Sequence, residues 1–203
     1  MALCAAGVSP LHLPRVAVSF DLSPGETVQL LGRSGAGKSS VLRALARLDP
    51  YRGELSLDGA EDHAIPAPRW RRQVSLLISE PVGAGVAVGA WLGRPRRFEA
   101  ARGSFSEDAI DAELSALDLD DVDRDGPVDR LSAGEQARLR LARCLAGAPT
   151  VLLVDEPTAH LDDEASARVW ARLDRFLEAG GALVLASHRA KRGTPIALEG
   201  GAP

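Results

Sequence analysis

At 203 residues the chain is long enough to bury a hydrophobic core of its own, as a single domain or as one domain with a small lobe. Apolar residues make up 45% and the net charge is −4, the composition of a soluble globular protein without an electrostatic footprint for nucleic acid, so no direct nucleic-acid partner is expected. The longest apolar runs, Thr150–Val154 and Ala182–Ala186, are about a quarter of a membrane helix, and Met1-Ala2-Leu3-Cys4 lacks the basic flank and apolar stretch of a secretory signal; both point to the cytosol.

Along the chain, short β-rich runs alternate with longer helical stretches, the pattern of an α/β fold. Cys4 and Cys144 form neither a metal-spaced cluster nor a disulfide framework and read as reduced thiols. Strands are predicted at Val16–Phe20 and Thr27–Leu31, separated by the turn Leu22-Ser23-Pro24-Gly25. Val41, Leu42, Leu45 and Leu48 fall at helical spacing, so a helix should follow Gly37. A further strand pair is expected at Glu54–Leu57 and Gln73–Ile78. From Val86 to Gly126 the sequence reads as helical and poor in strand formers, a small lobe with a cap at Ser106. Helix from Ser132 to Ala146, strand from Val151 to Val154, helix from Asp162 to Ala179 and strand from Leu183 to Ala186 return the chain to the α/β core.

The first chemical motif is Gly32-Arg33-Ser34-Gly35-Ala36-Gly37-Lys38-Ser39-Ser40, which satisfies G-x-x-x-x-G-K-[ST] between a predicted strand and helix. Its glycines let the backbone curl so that successive N–H groups face an anion, and the helix start adds partial positive charge. Lys38 would reach the β and γ phosphates, and the Ser39 hydroxyl would complete the coordination of Mg²⁺. Of 24 basic residues only Lys38 and Lys191 are lysine, so a lysine kept within this loop points to a site that wants a compact point charge. The second motif is the apolar run Val151–Val154 followed by Asp155-Glu156-Pro157. It places paired acids at the carboxyl edge of a parallel sheet, where ligands of such folds bind. Asp155 should hold Mg²⁺ through its water shell, and Glu156 should act as general base or orienting group for an attacking water.

The third motif, Leu131-Ser132-Ala133-Gly134-Glu135-Gln136, makes a capping box through Ser132 and Glu135. Here the chain resembles the ATP-binding cassette (ABC) ATPases, whose Leu-Ser-Gly-Gly-Gln signature opens a helix before the second carboxylate strand. The resemblance runs from about Val16 to Leu198. It implies a single nucleotide-binding domain over 1–203: a P-loop NTPase core of ABC type with an N-terminal antiparallel β region and a helical lobe inserted at about 84–147. It further implies Mg-dependent ATP hydrolysis in a head-to-tail dimer, with Ser132 and the Gly134 N–H touching the γ-phosphate bound by the opposite subunit. His188 matches the switch histidine, and Ala159-His160-Leu161-Asp162 occupies the place of the loop lining the dimer seam. Without a membrane segment, the transport role implies a separate integral-membrane permease, docked near Ser79–Val88 and the helical lobe, that keeps this subunit at the inner face of the membrane. A soluble, non-transport ATPase of the family and a weakly hydrolysing regulatory module stay open as alternatives.

Four positions depart from the family pattern. Ser79 stands where a glutamine that senses Mg²⁺ and contacts the permease is expected; either a water fills the gap, Glu80 substitutes, or the coupling of nucleotide state to transport is altered. The stretch Val8–Arg15 holds no aromatic ring to stack on adenine, leaving His12 as its nearest equivalent. Ala133 replaces a glycine and Ala159 a serine.

Overall fold

The structure is a computed structural model and describes residues 3–77, 85–98, 105–159, 161–187 and 193–198. Two compact units divide the chain: one formed by Met1–Ile78, Pro149–Glu156 and Phe176–Pro203, the other by Ser79–Ala148 and Pro157–Arg175.

The first unit holds both sheets. Strands β1 (Leu3–Pro10), β2 (Val18–Leu22), β4 (Tyr51–Leu57) and β5 (Ala60–Glu61) form an antiparallel sheet in the order β2-β1-β4-β5. Strands β3 (Thr27–Leu31), β6 (Val74–Leu77), β7 (Val151–Asp155), β8 (Ala182–Ser187) and β9 (Thr194–Ala197) form a parallel sheet in the order β6-β7-β8-β3-β9. Helix α1 (Lys38–Leu45) buries Val41, Leu42, Ala44 and Leu45 and packs against β1 of one sheet and β7 and β8 of the other. One core therefore joins Leu3, Val8 and Leu55 to Leu30, Val151 and Val184. The short helix α2 (Ala67–Gln73) sends Trp70 into that core, where its indole N–H donates to Leu45 O at 2.9 Å and satisfies a carbonyl at the end of α1.

The strand readings Glu54–Leu57 and Gln73–Ile78 both find strands, but these do not pair: β4 belongs to the antiparallel sheet and β6 to the edge of the parallel one. Residue 78 lies outside the described residues. Strand β1 has few branched residues, carries Gly7 at φ 60°, and breaks register between Ala5 and Val8. Its order comes from pairing with β2 on one side and β4 on the other rather than from local propensity.

The second unit is helical, with α3 (Val88–Gly93), α4 (Glu107–Ala116), α5 (Ala133–Ala146) and most of α6 (Asp163–Glu178). Helix is not continuous over Val86–Gly126: a 3₁₀ turn at Arg94–Arg97 follows α3, and turns follow α4. Helix α4 starts where Ser106 accepts a hydrogen bond from the Ala109 N–H at 3.0 Å, the cap that the sequence signals. Leu114, Leu117, Leu139 and Leu141 are fully buried in this unit, and Arg172 of α6 makes a two-pronged ion pair with Glu113 of α4 at 2.5 and 2.7 Å.

Candidate functional site

Strand β3 ends at Leu31 between β8 and β9, and the chain turns from there into α1. A Cβ on Gly32 would stand 2.8 Å from the Ala36 Cβ and 3.2 Å from the Leu198 carbonyl, so only glycine lets the turn close. Gly35 and Gly37 have φ of 79° and 90°, and the Ala36 N–H donates to Arg33 O at 3.1 Å. This alternation of handedness curls the 32–37 backbone into a concavity of the kind that holds anions. Arg33, Ser34 and Gly35 are exposed at its rim, whereas Ala36 and Lys38 are buried. Lys38, 6% exposed, donates from Nζ to Gly32 O at 2.8 Å and Arg33 O at 3.1 Å, which fixes the ammonium inside the curl.

Strand β7 lies second in its sheet, and Val151–Val154 are all fully buried. Asp155, the last strand residue, is partly exposed at the carboxyl edge, and Ser39 Oγ donates to its Oδ2 at 2.5 Å. Parallel strands in phase bring the two ends together although 116 residues separate them. Hydroxyl and carboxylate oxygens are the hard donors that Mg²⁺ takes, and Mg²⁺ is held through one or two carboxylates with water and substrate phosphates completing its shell. Ser39 and Asp155 fit that ion. Among the described residues no group of three or more His, Cys, Asp or Glu could cage a metal without such help. Glu156 follows with φ 47° while its N–H donates to Ala186 O at 3.2 Å. The strand ladder thus runs one residue past β7, and the backbone then turns through a left-handed conformation uncommon for a side chain of this size.

Ser132 is the N-cap of α5. Its Oγ accepts from the Glu135 N–H at 3.2 Å and donates to Glu135 Oε2 at 2.7 Å, while its own N–H donates to Oε2 at 2.8 Å. The box foreseen from S-x-x-E is therefore made. These bonds, the Ser132 hydroxyl first, hold the Glu135 carboxyl below the ordinary glutamate range. A Cβ on Gly134 would meet nothing closer than 3.9 Å, at Ala165 and Leu161, so nothing described within the chain demands glycine there.

His12 lies beside the loop: its Nε2 is 3.1 Å from the Oγ of Ser40 in α1, and neighbouring Leu13 approaches Gly37. This contact joins a β1–β2 connector to the phosphate loop and has no signature in spacing. Ala159 is exposed. His188, Ser79, Glu80 and His160 lie outside the described residues. No helix among the described residues is long and apolar enough to cross a membrane.

The family model for the ABC transporter matches residues 16–159. The ATP-dependent lipid A-core flippase of Pseudomonas fluorescens (strain Pf0-1) is 34% identical over 181 residues, covering 85% of this chain and 30% of the flippase. The cell division ATP-binding protein FtsE of Escherichia coli (strain K12) is 32% identical over 182 residues, covering 84% of this chain and 79% of FtsE. The dimeric structure of a bacterial ABC transporter cassette superposes with a TM-score of 0.82 at 23% identity, covering 97% of this chain and 94% of that one. At that identity the likeness is one of fold, a mixed α/β core with one antiparallel and one parallel sheet. The chain thus spans well under half of the flippase and most of FtsE.

Proposed function

The chain belongs to the ABC transporter family of ATPases, and from that premise we propose that it binds and hydrolyses Mg–ATP as the motor subunit of a membrane transporter, working as a head-to-tail dimer on a separate permease. The observation that carries this reading is the 2.5 Å contact of Ser39 with Asp155, made at the mouth of a loop whose interior holds the Lys38 ammonium.

In this reading the backbone N–H groups of residues 32–40 hold the phosphates, and Lys38 places its charge against the β and γ groups. Ser39 and Asp155 hold Mg²⁺, which when bound draws charge from the phosphate oxygens. Glu156, one residue past the metal ligand, orients the attacking water and accepts its proton. The left-handed backbone at Glu156 supports a set direction for that carboxylate. His188, by its match to the family's switch histidine, contacts the γ-phosphate. Ser132 and the Gly134 N–H meet the nucleotide held by the second copy. Gly134 supports this: glycine is a poor helix former, and among the described residues of its own chain nothing gives a steric reason for it. We read 1–203 as one nucleotide-binding domain with a helical lobe at about 84–147, located at the inner face of the membrane through the permease.

Steady-state hydrolysis by the wild type beside Glu156→Gln tests the assignment. Activity should fall at least about 100-fold, with ATP-dependent dimers accumulating in sedimentation. Equal rates in the two proteins would remove Glu156 from the mechanism.

A further inference from the structure

One face of the antiparallel sheet packs Leu3, Ala5, Leu55 and Leu57 into the core. The other carries a row of polar side chains set by register: Asp21 of β2 stands opposite Cys4 of β1, Cys4 opposite Ser56 of β4, and Ser56 opposite Glu61 of β5. Glu54 lies in the neighbouring row, opposite Ala6. Beside it the sheet is bent. Gly53 has φ 92°, and a Cβ there would stand 2.4 Å from Gly7 O, where β1 and β4 lose register. Bulges of this kind kink a strand and re-aim its side chains. Next to the bend is an open pocket of about 430 Å³, lined by Cys4, Ala6, Gly53, Glu54, Ser56 and Glu61 among others, and among the described residues no lysine or arginine lines it. Asp62 also reaches it but is engaged, accepting from Tyr51 Oη at 2.5 Å and pairing with Arg47 at 3.1 Å. Glu61 meets the His63 imidazole at 3.1 Å, with its own side chain 72% exposed. A hydrogen bond to Asp21 first, then burial, push the Cys4 thiol up, and the charge of Glu54 adds to this, so the negative field of the face extends over the thiol.

We infer that this pocket binds an aliphatic diamine or polyamine, with one ammonium on Glu54, another on Glu61, and the methylene chain over Ala6 and Gly53. Glu61 is one strand across from Ser56, and Glu54 is two residues along from it. At about 3.4 Å per residue and about 4.8 Å per strand, the two backbones stand about 8 Å apart. A short diamine bridges that gap with a charge-assisted hydrogen bond at each end. A metal ion fits less well: among the described residues no group of three or more His, Cys, Asp or Glu could hold one. A protein segment would need an aromatic or apolar anchor, and the large apolar side chain lining the pocket, Leu55, is 2% exposed. A merely solvated acidic face accounts for the charges but not for the pocket between them, beside a bend that only glycine permits.

Calorimetric titration of the full, nucleotide-free chain with spermidine at near-physiological salt decides it. The wild type should bind saturably, and Glu54→Gln/Glu61→Gln at least about tenfold more weakly. Asp120→Asn/Asp121→Asn removes two exposed acids of the helical unit and should bind as the wild type does. Equal loss in the two variants marks diffuse attraction to a net negative chain and overturns the inference. So does wild-type binding that never saturates, or binding that persists unchanged in the pocket variant. Butylamine, with a single ammonium, should bind at least about tenfold more weakly than spermidine, and parity between them overturns the two-ended seat. No ATP enters the measurement, so the two readings fail separately: a chain that hydrolyses ATP and takes up no spermidine keeps the first and ends the second.

Discussion

Gly37 meets two constraints at once: a φ of 90°, and a Cβ position 3.1 Å from Leu13 Cδ1. A left-handed backbone costs an alanine about 1–2 kcal/mol. Gly37→Ala should lower the free energy of urea unfolding by about that amount. It should also weaken ATP binding in calorimetry by at least about tenfold, because the N–H groups proposed to hold the phosphates turn with the backbone. Unchanged affinity would detach the loop's curl from nucleotide binding. At this scale the sequence is informative where chemistry sits at strand ends. Lys38 and Ser39 follow one strand, Asp155 closes another, and parallel pairing in phase brings those ends to one edge. The left-handed turn at Glu156 and the His12–Ser40 contact are not readable in the same way. Each is imposed by neighbours distant in sequence, Ala186 in the first case and the β1–β2 connector in the second.

Helix α5 begins with a reciprocal cap, and its pH response follows from Glu135. The carboxyl is held below its ordinary value of 4.5, chiefly by the Ser132 hydroxyl. A depressed native pKa contributes stability that is fully present above the unfolded value and lost as the pH falls through the native one. Ser132→Ala should therefore cost about 1 kcal/mol near neutral pH. The gap to wild type should narrow below pH 4.5, as seen in urea melts across that range. A gap that stays constant into acid would assign the loss to something other than the Glu135 pairing. Between α4 and α6, the side chains of Arg172 and Glu113 are only 15% and 14% exposed. Glu113→Gln removes the charge that balances a guanidinium in poor contact with water, and should cost about 3 kcal/mol in denaturant unfolding. A loss below about 1 kcal/mol would make the pair equivalent to a surface bridge. Elements with strong periodicity or branched runs, such as β3, α5, β7, α6 and β8, were legible to within a residue or two. Strands β1 and β9 went unread. Leu3-Cys4-Ala5-Ala6-Gly7 has no strand-favouring run, and Thr194-Pro195-Ile196-Ala197 contains a proline that only an edge strand tolerates. The supposed pairing of Glu54–Leu57 with Gln73–Ile78 failed for a related reason: adjacency in sequence does not say which of two sheets a strand joins.

At the scale of the whole molecule, the unit with both sheets is assembled from three separate stretches of chain. Among the described residues, strand β3, which launches the phosphate loop, has β8 and β9 as its sheet neighbours. Both arrive only after Gly181, far along the chain from Leu31. A chain ended after Gly181 should show no cooperative urea transition for this unit and bind no ATP. A sharp transition in that fragment would mean that the antiparallel sheet and α1 fold without the strands beside β3. For a ribosome the implication is one of timing. The segment that carries the lysine leaves the exit tunnel before β8 and β9 and must wait, edges bare, until the codons specifying those two strands are translated. During that wait it is open to chaperones and to mispairing with sister chains, so the yield of folded protein should respond more to the pace of translation through β8 and β9 than to the pace through β3.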